Sequence, residues 1–298
     1  MLQKVEDLML EMVSSLGDEY IVKLFEKVPK GKRLRAKLVL KIAKDNVEAY
    51  NLAAIIELIH AASLLHDDVI DDAMQRRGKE SINAVFGNKS AIMLGDILYS
   101  KAFTQLTFLP QNVAFSVSNA VALLSVGELM DVELSKQFNT DKELYFDMIY
   151  KKTASLIEAT ASAAAMLAGR DYKKYELYGR NLGLAFQIID DVLDITQTSE
   201  HLGKPSMHDF KEGKTTLPYL YMYERMSAND KEILVKLFKK DLSNDDKIWI
   251  RLKMKETKAL EDSVNYAKKL GKEALEAISE EDDDELEKII RDMIERDF

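Results

Sequence analysis

The chain has 298 residues, a net charge of -9 at pH 7 and 47% hydrophobic residues. A chain of this size can bury a large core, and its acidic balance argues against a general nucleic-acid binder. It contains no cysteine, which excludes disulfides, thiolate catalysis and cysteine-ligated metal sites and fits a reducing, cytoplasmic setting. A phosphate-bearing substrate would therefore have to be attracted by local basic residues or by a metal ion.

The composition predicts a single all-α domain over residues 1–298. Four prolines and twelve glycines punctuate a sequence that is rich in strong helix formers. No alternating strand segment with a hairpin turn is evident. The segment Met1–Asp7 lacks a basic region followed by an apolar core, and no uncharged apolar run reaches about 18 residues, so neither a signal peptide nor a transmembrane helix is predicted.

The first segments predict an amphipathic helix over residues 2–27 and then a basic turn after Pro29. The turn consists of Lys30, Gly31, Lys32, Arg33, Leu34 and Arg35. Basic residues around a glycine at a helix start can form an anion site, because free backbone amides and the helix dipole favour negative charge. Taken alone, such a run is more often a solvated turn.

The next predicted helix is buried and ends in a cluster of aspartates. The residues of this cluster are His66, Asp67, Asp68, Val69, Ile70, Asp71 and Asp72. On a helix, Asp67 and Asp71 lie one turn apart, as do Asp68 and Asp72, so like charges crowd adjacent faces. Burial beside the apolar segment 52–59 adds a desolvation cost that a cation can offset. Hard oxygen ligands favour magnesium shared with substrate phosphates.

Two arginines directly after this cluster extend the prediction to phosphate. Arg76 and Arg77 can grip phosphate oxygens in a bidentate manner, and Gly78 lets the backbone turn tightly. The alternative is a solvated acidic helix end followed by a basic turn.

Further along, a long helix is predicted over Val113–Phe138. Lys152 and Thr153 then precede an alanine-rich helix, where they could bind phosphate or cap the helix.

A second acidic cluster repeats the first spacing at the end of another apolar helix. Asp190 and Asp191 are adjacent, and Asp194 follows three residues after the second. Two such clusters on separate buried helices suggest facing carboxylate arrays around a metal-diphosphate cluster. Downstream, Lys204 and Lys214 lie beside glycines and indicate a phosphate-closing loop, with a mobile surface loop as the alternative.

Together these residues resemble the trans-isoprenyl diphosphate synthases, and most closely their long-chain octaprenyl and heptaprenyl members. The two Asp-rich motifs of that family are matched by Asp67, Asp68 and Asp71 and by Asp190, Asp191 and Asp194. The run Gly31–Arg35 resembles the isopentenyl diphosphate loop, with Lys30 and Ala36 in place of the usual glycine and proline. The resemblance implies an all-α isoprenoid synthase type I bundle with a central active-site cavity, assembled as a homodimer.

The resemblance also assigns roles to individual residues. It implies that isopentenyl diphosphate is held by Lys32, Arg35, His60 and Arg77. It implies that the allylic diphosphate is held by Arg76, Lys152, Lys204 and Lys214, helped by about three magnesium ions on the six aspartates. The resemblance places Thr153 and Gln187 near the developing carbocation. The implied catalytic set is Asp67, Asp68, Asp71, Lys152, Thr153, Gln187, Asp190, Asp191 and Lys214.

The implied reaction is ionisation of an allylic diphosphate, with farnesyl diphosphate as the expected starter, followed by attack of isopentenyl diphosphate. The product is expected to serve quinone side chains and to be released through peripheral membrane contact. Three alternatives stay open. They are a shorter-chain farnesyl or geranylgeranyl synthase, a terpene cyclase, and a silent helical subunit that regulates a partner synthase.

Product length is predicted from the helix that precedes the first acidic cluster. Ala62 and Ser63 lie roughly 6 to 8 Å behind Asp67, and Ile59 and Ile56 follow one and two turns further back. In short-chain members of the family, bulky aromatic residues near these positions close the channel floor. The small side chains therefore predict a long product, from hexaprenyl to octaprenyl. The alternative is that they only allow close helix packing.

Overall fold

A computed structural model describes residues 1–44, 46–196, 207–281 and 284–294 of the chain. Over these residues the secondary structure is helical except for one two-stranded hairpin, which confirms the predicted all-α class. Lys204 lies outside the described residues.

The helices are numbered here in chain order over the described residues. They are α1 (Leu2–Ser14), α2 (Glu19–Lys27), α3 (Leu34–Ala43), α4 (Ala49–Ile70), α5 (Ile82–Phe86), α6 (Asn88–Leu106), α7 (Gln111–Leu134), α8 (Lys142–Ile149), a π-helical turn (Tyr150–Ala154), α9 (Ser155–Leu167), α10 (Tyr172–Thr196), α11 (His208–Glu212), α12 (Leu217–Arg225), α13 (Ala228–Leu237), α14 (Asn244–Glu256), α15 (Ala259–Ala277), a 3₁₀ turn (Ser279–Glu281) and α16 (Asp284–Ile294). The strands are β1 (Gln75–Arg76) and β2 (Lys79–Glu80).

The predicted first helix over residues 2–27 is two helices. Gly17 has a φ of +75°, which ends the first helical segment in a left-handed turn. The side chain of Asp18 then caps α2, because its Oδ1 accepts hydrogen bonds from the amides of Tyr20 at 2.8 Å and Ile21 at 3.2 Å.

The chain forms two compact units. The first consists of Met1–Val121 and Ala159–Glu176, and the second of Ala122–Glu158 and Leu177–Phe298. The single domain that we expected from composition stays a prediction.

In the first unit, α4 packs against α1, α3 and α6. Its sequence is apolar almost all round, as expected for a helix that is covered on every side. Leu52, Ile56, Leu58 and Ile59 are fully buried. The apolar core of this unit therefore fixes the direction in which α4 delivers the first acidic cluster.

In the second unit, aromatic and methionine side chains pack beneath the end of α10. The rings of Phe210 and Tyr219 stack with their centroids 4.4 Å apart, and Phe138 meets Phe210 edge-on at 6.4 Å. Met222 and Met254 belong to the same buried cluster. This packing anchors the segment that follows the second acidic cluster.

The sequence predicted no helix that could span a membrane, but α7 meets the length and hydropathy that a span requires. Among the described residues it is the one helix long and apolar enough for this, with a mean hydropathy of 1.6 in an 18-residue window that is 39% buried. Core helices of soluble proteins pass the same test, so the finding is weak evidence for a membrane span. It does show that much of α7 is apolar and exposed.

Candidate active site

The first acidic cluster lies where α4 ends. The helix stops at Ile70, and the amide of Asp71 still donates to the carbonyl of Asp67 at 2.8 Å, so these two residues remain one turn apart. Asp72 instead has a φ of +47°. The expectation that Asp68 and Asp72 stack on a helix is therefore wrong, because the backbone leaves the helix before Asp72.

The two arginines after the cluster lie on a small hairpin that we did not predict. Strands β1 and β2 pair antiparallel, with Arg76 opposite Lys79. Arg77 and Gly78 form the two-residue turn, and both have positive φ values, +55° and +71°, as in a type I′ turn. The local signal was weak because an arginine occupies the position where asparagine or aspartate is usual. The hairpin therefore places Arg76 on a strand and Arg77 at its tip.

Asp68 is the buried carboxylate of this cluster, only 3% exposed. The Nε of Arg76 donates to its Oδ1 at 2.5 Å. Burial raises the pKa of Asp68, although the charge and hydrogen bond of Arg76 oppose this shift. The side chain of Asn83, which we did not predict as a site residue, donates to the carbonyls of Asp68 at 3.1 Å and Ala73 at 3.0 Å and holds the turn.

Arg77 reaches back to the predicted basic loop. Its Nη1 donates to the carbonyl of Pro29 at 2.8 Å. A Cβ placed on Gly31 would lie within 2.5 to 2.6 Å of the Arg77 guanidinium. The glycine of the basic run is therefore needed for this close approach. The structure brings together the loop and Arg77, as the resemblance implied.

Arg33 and Glu57 organise the same loop. Arg33 donates from Nε to Oε1 of Glu6 at 2.7 Å and from Nη1 to Oε2 of Glu57 at 3.1 Å. Glu57 is buried, and its Oε1 accepts from the amide of Ala36 at 3.0 Å. Sequence reasoning missed Glu57, although a carboxylate in the apolar run 52–59 was a signal. It supplies the negative charge that a buried arginine cluster requires.

Arg35 and His60 complete this group of basic residues. Burial lowers the pKa of Arg35 to about 10, with Arg77 acting in the same direction and Glu57 opposing it. Loss of solvent lowers the pKa of His60 well below its usual range, and the charges of Arg35 and Arg77 add to the effect, so the imidazole is neutral at pH 7. The Nε of Arg35 has no hydrogen-bond partner within the described residues. Lys32 is exposed beside them. This concentration of positive charge suits a diphosphate.

In the second unit, Asp191 lies at the centre of the acidic cluster and is 3% exposed. Its Oδ2 accepts from the hydroxyl of Tyr145 at 2.6 Å, and its Oδ1 accepts from Nε2 of Gln187 at 2.9 Å. Burial raises the pKa of Asp191 well above its ordinary value, and the charge of Asp209 adds to this, whereas the hydrogen bonds of Tyr145 and Gln187 oppose it. Neither Tyr145 nor Asp209 was predicted as a site residue.

Thr153 and Lys152 lie on the π-helical turn between α8 and α9, which we also did not predict. Such turns are frequent at functional sites. Two glycines allow the surrounding helices to approach it. A Cβ on Gly127 would lie 2.2 Å from the backbone nitrogen of Lys152, and one on Gly183 would lie 2.5 Å from the Cα of Ala154. The Oγ1 of Thr153 donates to Oε1 of Gln187 at 2.9 Å, so the structure brings this predicted pair together.

The two predicted lysines of this unit both contact acidic side chains. The Nζ of Lys152 lies 2.5 Å from Oδ2 of Asp131 and 3.0 Å from Oε2 of Glu128. The Nζ of Lys214 lies 2.9 Å from Oε2 of Glu212. Although burial acts in the opposite direction, His208 and Lys214 lower the pKa of Glu212 to about 2.

The loop that carries Lys214 is tied to the second acidic cluster. The amide of Asp209 donates to Oδ2 of Asp194 at 3.3 Å, and the amide of Met207 donates to the Asp194 carbonyl at 2.7 Å. Asp194 is buried and Asp190 is half-buried one turn before it. The segment predicted to close over phosphate therefore begins directly at the second array.

The carboxylates fit a metal that is shared with a ligand. Across the residues that the structure describes, no three Asp, Glu, His or Cys side chains converge as a preformed metal cage. Magnesium is typically held by one or two carboxylates together with substrate phosphates. Asp68 and Asp191 are buried carboxylates beside further aspartates, and a bound divalent cation would offset the cost of burying that charge.

The four predicted chain-length residues lie in the first unit. Ile56, Ile59 and Ala62 are fully buried and Ser63 is 5% exposed, with its hydroxyl donating to the His60 carbonyl at 3.0 Å. Burial is expected both for the wall of a closed tunnel and for ordinary core packing. Their role in product length stays a prediction.

Acidic clusters at two helix ends, each accompanied by basic side chains, define a class of helical proteins that bind diphosphates through metal ions. The family profile "Polyprenyl synthetase" matches residues 18–253. The chain belongs to the polyprenyl synthetase family.

Individual relatives agree with this. The crystal structure of an octaprenyl pyrophosphate synthase from Helicobacter pylori is 44% identical, with a TM-score of 0.95, over 99% of this chain and 98% of that one. A polyprenyl synthase from Caulobacter crescentus, complexed with calcium and isoprenyl diphosphate, is 30% identical with a TM-score of 0.91, over 99% of this chain and 94% of that one.

A curated relative matches over a shorter stretch. The mitochondrial solanesyl-diphosphate synthase 1 of Oryza sativa is 45% identical over 192 residues, which are 63% of this chain. The match spans less than half of that relative, 44% of its length. The matched relatives also include enzymes named for short-chain products.

Proposed function

We propose that this protein is a magnesium-dependent trans-polyprenyl diphosphate synthase that condenses isopentenyl diphosphate with an allylic diphosphate. The observation that carries this proposal is the basic cluster of Arg35, His60 and Arg77, which lies in the same unit as the first acidic motif. Such a cluster, separate from Lys152 and Lys214, supplies a second diphosphate subsite. A terpene cyclase has no second diphosphate to hold, so this cluster argues against that alternative.

The metal is magnesium, held by Asp67, Asp68 and Asp71 in the first motif and by Asp190, Asp191 and Asp194 in the second. About three ions per site would match the six carboxylates and the phosphates that share them. When bound, the metal neutralises negative charge on the departing diphosphate. Intact copies of both motifs argue against the alternative of a silent regulatory subunit.

The protein's own residues bind and orient the two substrates. Lys32, Arg35 and Arg77 hold isopentenyl diphosphate through its negative charge, and the neutral imidazole of His60 adds a hydrogen bond. Arg76, Lys152 and Lys214 hold the allylic diphosphate after they exchange their carboxylate partners for phosphate. Electrostatic stabilisation of the leaving diphosphate supplies most of the rate. Thr153 and Gln187 present oxygen atoms to the developing cation, and no protein nucleophile is required.

The product is long, from hexaprenyl to octaprenyl, starting from farnesyl diphosphate and serving quinone side chains. The small side chains of Ala62 and Ser63 support this, as do the octaprenyl and solanesyl synthases among the relatives. A farnesyl or geranylgeranyl product is the second candidate, since one relative is named a short chain isoprenyl diphosphate synthase, but the octaprenyl and solanesyl relatives favour the longer product.

The assembly is a homodimer through α7. Phe115, Val126 and Leu129 recur at helical spacing and are 71%, 47% and 63% exposed, so they present apolar side chains on one face of the helix. A symmetric copy would cover this face, and a stable, active monomer in light scattering would contradict the dimer.

We place the protein in the cytoplasm, because it lacks cysteine, with peripheral membrane contact for product release.

The test is an elongation assay with the purified protein, magnesium, farnesyl diphosphate and labelled isopentenyl diphosphate, with products sized by chromatography. The parent should make long products. Asp67→Ala and Asp190→Ala should each lower the rate by at least about a hundredfold, because each removes charge stabilisation of the leaving group. Their circular dichroism should match that of the parent. Near-parental turnover by either variant, or turnover after exhaustive chelation, would exclude the proposal.

A further inference from the structure

A chain of hydrogen bonds joins four side chains in the second unit. The hydroxyl of Tyr145 on α8 donates to Oδ2 of Asp191 at 2.6 Å, and Nε2 of Gln187 donates to Oδ1 of Asp191 at 2.9 Å. The Oε1 of Gln187 accepts from Oγ1 of Thr153 at 2.9 Å. Tyr145 is 1% exposed and is the first residue of this series of hydrogen bonds; it lies on α8, whereas Gln187 and Asp191 lie on α10.

The two neighbours of Gln187 fix which way its amide faces. In the proposed function Asp191 holds magnesium and is therefore ionised, and an ionised carboxylate only accepts hydrogen bonds, so the group next to Asp191 must be the amide nitrogen. The oxygen is then the group next to Thr153. A side-chain amide that rotates by half a turn exchanges these atoms at little steric cost, and only its hydrogen-bond partners prevent that rotation. The orientation of Gln187 therefore depends on where the Asp191 carboxylate is held.

The position of Asp191 in turn depends on Tyr145. Asp209 and Asp190 place like charge beside Asp191, which pushes its carboxylate away from them. The Tyr145 hydroxyl, at 2.6 Å, is a short and rigidly mounted donor on a buried ring. A hydrogen bond to a charged acceptor is among the stronger ones in a protein interior. It can therefore hold the carboxylate against this repulsion.

We propose that Tyr145 is a positioning residue of this enzyme: its hydroxyl fixes Asp191, and Asp191 fixes the Gln187 amide with its oxygen toward Thr153. The inference rests on the proposed function, in which Gln187 lies near the allylic cation. A carbonyl oxygen stabilises a nearby cation, whereas an amide N–H directs partial positive charge at it. Loss of the Tyr145 hydroxyl therefore slows ionisation without removing a group that binds either diphosphate.

The first variant is Tyr145→Phe, which removes one oxygen atom and leaves the ring. The matched control is Tyr178→Phe, because Tyr178 is equally buried in the same unit and its hydroxyl donates to the Leu286 carbonyl at 3.0 Å. We expect kcat to fall about tenfold in Tyr145→Phe and to stay within about twofold of the parent in Tyr178→Phe. KM for both substrates, measured at saturating magnesium, should stay within about twofold in both variants.

A double-mutant cycle separates positioning from general packing. In a Gln187→Met background the amide is absent, so Tyr145→Phe should change kcat by less than about twofold. Should Tyr145→Phe fail to fold, Gln187→Met alone tests the same chain of bonds and should lower kcat at least tenfold.

Several outcomes would overturn the inference. They are an unchanged kcat in Tyr145→Phe, an equal loss in Tyr178→Phe, a full further loss in the Gln187→Met background, or a change confined to KM. An unmutated protein that does not elongate would instead reject the proposed function, so the two failures are distinguishable.

Discussion

Replacing Ala62 by phenylalanine is expected to shorten the product to farnesyl or geranylgeranyl diphosphate. The helix α4 runs without interruption from Ala49 to Ile70, so a rise of 1.5 Å per residue places Ala62 about 7.5 Å behind Asp67. By the same measure Ile56 lies about 16 Å behind Asp67. A chain that grows away from the first acidic cluster would meet the new ring before it reached Ile56.

The size of the effect follows from the apolar surface that each isoprene unit buries. A buried methylene is worth about 0.8 kcal/mol, so a five-carbon unit gains about 4 kcal/mol when it enters an apolar tunnel. A ring that blocks the tunnel removes this gain for the next unit, which corresponds to a factor of roughly a thousand against one more addition. The product distribution should therefore move as a whole and not merely broaden.

The assay sizes the products of parent and variant after identical incubations, and records the melting temperature of each protein. The matched control is Ala53→Phe, since Ala53 is also fully buried on α4 but lies two and a half turns earlier, on the opposite face. Overpacking a core typically costs about 1–3 kcal/mol. The control should lose stability and keep the parental product length.

Two results would refute this reasoning. One is a parent that itself stops at farnesyl or geranylgeranyl diphosphate. The other is an Ala62→Phe protein that still makes the full-length product, or that only loses stability as the Ala53→Phe control does. Either result would mean that the small residues near the first motif serve helix packing alone.

Further predictions concern substrate subsites, the π-helical turn and acid stability. Arg35→Ala should raise KM for isopentenyl diphosphate at least tenfold and leave the allylic KM within about twofold, with the reverse for Lys214→Ala; equal effects on both substrates would argue against separate subsites. Gly183→Ala should lower both kcat and the melting temperature, because the added Cβ would lie 2.5 Å from the Ala154 Cα. Parental values of both would show that the π-helical turn can move away from the added methyl group without cost. The pKa of Glu212 is lowered from 4.5 to about 2, so its carboxylate contributes stability that is fully present above pH 4.5 and is lost as the pH falls toward 2. Urea unfolding of Glu212→Gln should show a smaller loss of stability across that window, and an unchanged loss would contradict this.

The sequence by itself determined the helical class and the acidic motifs. Apolar periodicity and the spacing of Asp67 and Asp190 with their neighbours are local properties, and they survive in the structure because each motif lies at the end of one apolar helix. The break at Gly17 and the cap at Asp18 are also local, yet the continuous apolar pattern over residues 2–27 concealed them. Whether the two arrays face each other stays a prediction.

Only the tertiary structure decided which side chains form hydrogen bonds with the predicted site residues and their loops. The side chain of Glu57 accepts a hydrogen bond from the amide of Ala36, 21 residues away in the sequence. The hydroxyl of Tyr145 donates one to Asp191, 46 residues away. No period or spacing encodes such pairs, because they depend on how separate helices pack. The π-helical turn has the same origin, since its backbone lies against Gly127 and Gly183. Burial also shifts pKa values, as for His60, whose pKa is lowered by burial and by the arginines around it, because desolvation is a property of the packed protein and not of the residue.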